Sequence, residues 1–218
     1  MSRVIASGLL ILSGCGVIVS SDSPLSPVAE AQLQKQLIGT WHSTDCPKSR
    51  VLFVHVSKAG GEGGGIPDAL MRFLVVSQPA DERHAVMHQE FLGYVSTIDD
   101  RLYLNVMVNR GHKFKKPHEL TDESLDKHTY RLFKLRTDNE DHWRLFPMSS
   151  KAAARLVQAG TLEGTISPGK GLLAPIEIVN LASPPATLAA AVAEAEEGSP
   201  DASVFEREGL VWQLRRVK

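Results

Sequence analysis

Residues 102–108 alternate strictly: Leu102, Leu104, Val106 and Val108 are aliphatic, whereas Tyr103, Asn105 and Met107 are mixed. A repeat of two residues belongs to an extended strand whose two faces meet different surroundings. Such a strand leaves its backbone donors and acceptors pointing sideways, so it needs neighbours. The chain supplies them. Ile38–Ser43, Val51–Ser57, Arg72–Ser77, Val86–Thr97, Thr129–Arg136 and His142–Met148 are further strand-like runs, and Ile176–Val179 and Leu210–Leu214 follow near the end. Asp99-Asp100 and Thr137–Asp141 are turn-forming links, so the nine expected strands read largely as consecutive hairpins.

Two helices interrupt the later part. Ser150 is placed to cap a helix over Lys151–Ala159 that Gly160 ends. Ser183 and Pro184 open a second over Pro185–Glu197, with Gly198 beyond it. Glu194, Glu196 and Glu197 lie at the end of that helix where the dipole disfavours anions, so packing on Leu188 and Val192 is expected to hold it. A third, short helix is expected over Val28–Leu37.

The N-terminus carries Arg3, an apolar run from Val4 to Leu12, and Ser13-Gly14-Cys15. A basic start followed by about ten apolar residues has the form of a secretory signal. Leu12-Ser13-Gly14-Cys15 resembles a bacterial lipobox. The resemblance implies that residues 1–14 are a signal peptide and that Cys15 is lipidated and becomes the mature N-terminus. The membrane is then a partner through that anchor, and Gly16 after the cysteine points to the outer membrane, facing the periplasm. Ser20–Pro27, rich in Ser and Pro, reads as part of a flexible tether over residues 15–27. Residues 28–218 then form one domain.

Gly39-Thr40-Trp41 opens the first strand after the short helix. This triplet is similar to the Gly-x-Trp opening of lipocalins and fatty-acid-binding proteins, the calycins. The resemblance implies a mainly β fold, an antiparallel up-and-down β-barrel with two or three short helices. It also implies that Trp41 closes one end and that Arg215 or Arg216 packs over its ring. The physical motive is a desolvated cation–π contact. A small hydrophobic or amphipathic ligand would occupy the barrel, with Phe53, Phe73, Tyr103 and Met107 as candidates for its lining.

Composition narrows the alternatives. Of 218 residues, 43% are apolar, enough for a sizeable core; 24 basic residues against 25 acidic ones give a net charge of -1 and no field for nucleic acid. The basic run Arg110–Lys116 holds one aromatic and is followed by Glu119, Asp122, Glu123 and Asp126, so mutual neutralisation is expected there. With Cys15 acylated, Cys46 has no intramolecular partner and no disulfide staples the domain. His84, His88 and Glu90 share a strand face and could together hold a metal, but exposed polar positions of a sheet are the expected account of them. The Gly60–Gly65 loop lacks the Lys and Ser/Thr of a phosphate cradle. Ser124–Lys127 matches a Ser-x-x-Lys motif without its companion elements. No enzymatic activity and no cofactor are expected. The leading expectation is a ligand-binding envelope lipoprotein; the alternative is a protein-interaction lipoprotein with no ligand cavity.

Overall fold

Eleven strands form one continuous hydrogen-bonded system in the computed structural model, which describes residues 18–43, 49–60, 67–79, 86–108, 128–170, 175–197, 203–205 and 211–218. In chain order they are β1 (Ile18–Ser21), β2 (Gly39–Ser43), β3 (Ser49–Lys58), β4 (Met71–Pro79), β5 (Met87–Ile98), β6 (Arg101–Val108), β7 (Thr129–Asn139) and β8 (His142–Pro147). After these come β9 (Gly164–Lys170), β10 (Pro175–Leu181) and β11 (Trp212–Arg216). Strands β2 to β8 are successive antiparallel neighbours, and β11 pairs with both β8 and β2. The eight strands therefore close on themselves as an antiparallel up-and-down barrel. Closure removes the exposed edges that an open sheet of this length would present.

The chain leaves the barrel after β8 and returns only at β11. The excursion comprises helix α1 (Ser150–Gln158), the hairpin β9–β10 and helix α2 (Pro185–Glu197). Strand β1 runs parallel to β10 over Ile18↔Ile178 to Ser21↔Leu181 and touches β7 at Ser21↔Tyr130. A small side sheet, β1–β10–β9, is thus sewn onto the barrel wall.

Register assigns the two faces of every barrel strand. Trp41, Val54, Val75, Leu104, Phe133, Leu135, Trp143 and Leu214 point inward and form one core. Outward residues of β5 to β8, among them Tyr94, Tyr103, Met107 and Tyr130, form a second core with α1, α2 and the side sheet. Strand β6 is buried on both faces for this reason.

Several expectations are corrected. The segment read as a flexible tether is built into the fold from residue 18 onward. Leu25 is 1% exposed and its N–H donates to Asn105 Oδ1 at 2.9 Å. Tyr94 donates its hydroxyl to the Ser26 carbonyl at 2.6 Å, and the Ser26 and Ser96 hydroxyls bond at 2.7 Å. Buried partners hold this Ser/Pro-rich stretch, which composition alone could not reveal. Val28–Leu37 is not one helix but two 3₁₀ turns, Val28–Glu30 and Lys35–Leu37. Val28 packs on the outer core and Leu37 enters the inner one, so no single helical stripe could serve both.

Helix α1 is capped by Ser149, whose hydroxyl accepts from the Ala152 N–H, rather than by Ser150. Ser183 does not cap α2; its hydroxyl accepts from the Glu163 N–H at 2.7 Å and ties the start of β9 to the end of β10. Ser167–Lys170 lies in β9 despite its Pro and Gly. Pro168 is tolerated because β9 is the outermost strand of the side sheet, where a missing N–H breaks no ladder. Leu188 and Val192 do bury α2, and Glu196 at its unfavourable end is matched by Lys134 of β7 in a buried ion pair.

Candidate functional site

The interior of the barrel is the candidate site, and one end of it is closed by Trp41. Its indole lies on the inward face of β2 and donates to the Leu37 carbonyl at 2.8 Å. Arg216, opposite Trp41 in the β2–β11 ladder, places its guanidinium carbon 4.4 Å from the centre of the ring system. The same guanidinium donates to the carbonyls of Ile38 at 3.0 Å and Gln36 at 2.5 Å, and its Nε faces Asp141 at 3.5 Å. Stacked, hydrogen-bonded and charge-matched, Arg216 bolts the entering chain across the barrel end.

Gly39 makes room for this. Its φ is +142°, and a Cβ there would stand 2.7 Å from Arg216 Nη1. Glycine is needed both for the backbone angle and for the close approach of the guanidinium. Arg215, one residue earlier, pairs with His42 on the outward face and is exposed.

Beyond this closure lies an apolar cavity. Its wall includes Val54, Val56, Phe73, Val75, Phe91, Leu104, Val106 and Phe133 as well as Trp41, Trp143 and Trp212, and every lining residue is aliphatic or aromatic. All three tryptophans of the chain face it. The cavity is small, about 40 Å³. That is room for about three waters, yet a wall of this kind gives water few partners, and such cavities stay dry and accept apolar guests. The indole N–H of Trp143 is buried and has no acceptor among the described residues.

The expected lining residues divide. Phe73 lines the cavity. Phe53, also expected there, is on the outward face of β3, 40% exposed, with its ring 5.1 Å from that of His42. Tyr103 and Met107 are fully buried but point outward into the second core, where Tyr103 packs 5.5 Å from the ring of Phe205. Burial raises the Tyr103 phenol above its ordinary pKa, with Arg101 opposing the shift.

His88 is exposed on β5, Glu90 pairs with Arg72 at 3.0 Å, and His84 lies outside the described residues. No cluster of three metal-ligating side chains is found among the described residues. Cys15, Cys46, Gly61–Gly65, Arg110–Lys116 and Ser124–Lys127 also lie outside them. No helix among the described residues is long and apolar enough to cross a membrane.

Sequence reasoning missed Trp143, Trp212 and Arg131. The signal was parity: once Trp41 is set inward, the ladder carries that assignment from strand to strand around the barrel. Arg131 shares parity with Phe133 and Leu135, and burial lowers its pKa. No known family model, no curated protein and no solved structure matches the chain.

Proposed function

We propose that this chain is a non-enzymatic lipoprotein of the bacterial cell envelope, anchored through Cys15 at the outer membrane, whose barrel holds a small hydrophobic or amphipathic molecule. The observation that carries the binding half of this reading is the wholly aliphatic and aromatic wall of a closed barrel that still encloses free space. A barrel serving only as a scaffold gains by filling its interior, since each void forfeits packing energy. The anchoring half rests on Leu12–Cys15.

Native mass spectrometry of the full chain from its producing cells tests the carrier. The expected result is a small-molecule adduct, released on denaturation and lost in Val106→Trp, which fills the cavity. Radiolabelled palmitate is expected to enter the wild type and not Cys15→Ser. One observation favours a second reading, a protein-interaction lipoprotein: three indoles line the interior and the space left between its walls is small. A chain that stays free of adduct in the presence of envelope lipids would sink the carrier and favour that reading.

A further inference from the structure

The outer core covers the barrel wall from β5 to β8, and much of the remaining wall is bare. Phe53, Leu74 and Val76, on the outward faces of β3 and β4, belong to neither core. Phe53 is 40% exposed, and its ring leans on that of His42. Register sets these residues in a row. Arg215 of β11 stands opposite His42 of β2, His42 opposite Phe53, Phe53 opposite Val76 of β4, and Val76 opposite His88 of β5. Phe53 is therefore the middle of a row five strands wide, about 19 Å across.

This face is apolar at its centre and oppositely charged toward its two margins. Arg215 is exposed and forms no ion pair among the described residues. At the other margin stands Glu90, two residues from His88 and on the same face. Its Oε1 meets Arg72 Nε at 3.0 Å, but the side chain is 48% exposed and keeps acceptor sites open to solvent. A half-turn about an axis running along β3 exchanges the margins. It lays Phe53 over Phe53 and β11 of one copy over β5 of the other. Arg215 then lies over His88, with Glu90 one step of about 7 Å along the strand, a step an arginine side chain covers. Self-complementarity of this kind is what a twofold interface requires.

We propose that two copies of the chain pack on each other through this face, about a twofold axis along β3. Phe53 is at the centre, and Arg215 of each copy reaches Glu90 of the other. Contact among Phe53, Leu74 and Val76 supplies the attraction, and the two charge pairs fix the register. The outside of a barrel is convex, so the interface belongs to the small, reversible class. The pairing is independent of the carrier reading, because it uses outward side chains alone.

The test is sedimentation velocity on the full chain carrying Cys15→Ser, under reducing conditions so that no thiol links two copies. A dimer is expected at about 100 µM that dissociates on dilution to about 1 µM. Phe53→Glu is expected to be monomeric at both concentrations, with the emission of the interior tryptophans unchanged. Arg215→Glu and Glu90→Arg are each expected to weaken association at least about tenfold, and their combination in one chain to restore it. A monomer at about 100 µM overturns the proposal and leaves the face to a partner of other chemistry. A dimer that F53E leaves intact, or charge reversals that the combined variant does not rescue, overturns it as well.

Discussion

The barrel wall separates two cores built on different principles. The inner core is a ring of side chains that touch only through dispersion contacts; its polar business is confined to its two ends. The outer core is wired. Asn105 accepts from the Leu25 N–H and donates to Ser96 Oγ at 2.7 Å, Tyr94 reaches Ser26, and Lys134 meets Glu196 across to α2. Hydrogen bonds demand one register, so the outer core can hold an N-terminal strand and a helix in a single arrangement. An interior without such bonds tolerates a change of contents. The side of the wall that fixes the fold is not the side that encloses the free space.

The largest expected effect comes from breaking the inner core at its closure. Trp41→Ala removes the ring that Arg216 covers and should cost about 3–5 kcal/mol, read as a lower urea midpoint. Breaking the outer core is expected to cost less and to look different. Asn105→Ala leaves the Leu25 N–H and the Ser96 hydroxyl short of a partner, for about 1–3 kcal/mol. It should leave the tryptophan emission maximum unchanged, because all three indoles are on the other side of the wall. An emission shift in N105A as large as that in W41A would show that the cores are not separable.

Gly39→Ala probes the closure without deleting it. The new Cβ meets Arg216 Nη1, so the guanidinium must shift, and a side chain at this φ is strained, at a cost of about 1–3 kcal/mol. Proteolysis near residues 36–38 should then accelerate. The smallest effect is at the β5–β6 turn, where Asp99 and Asp100 have φ of 47° and 59°. That is the backbone of a type I′ turn, which Asn-Gly suits better. Replacing both residues should raise stability by about 0.5–1 kcal/mol and spare both cores, as equal gains in wild type and N105A would show.

The barrel strands were largely legible because alternation is a local signal. Leu102 to Val108, Arg72 to Ser77 and the Gly39-Thr40-Trp41 opening each announce a strand from within a few residues. Which face looks inward was not legible on β6, since Tyr103 and Met107 are as apolar as Leu104 and Val106 and both sets are buried. The outer core was hidden for a different reason. Its members touch across sequence separations such as the 80 residues between Leu25 and Asn105, and a Ser/Pro-rich stretch carries no mark of the partner awaiting it. Of the site, Trp41 could be named from its motif. Arg131 could not, because an arginine in a strand reads as exposed until the neighbouring ladders fix its parity.

Strand β1 begins at residue 18, and this sets the length of a leash. With Cys15 as the acylated residue, only Gly16 and Val17 separate the lipid from the first hydrogen-bonded residue of the side sheet. Three residue steps span at most about 11 Å. On the proposed lipid anchor, a domain held on so short a chain would not roam the periplasm. It would sit against the headgroups with β1 nearest the bilayer, and cargo would pass between membrane and barrel over the width of a headgroup layer rather than by free diffusion.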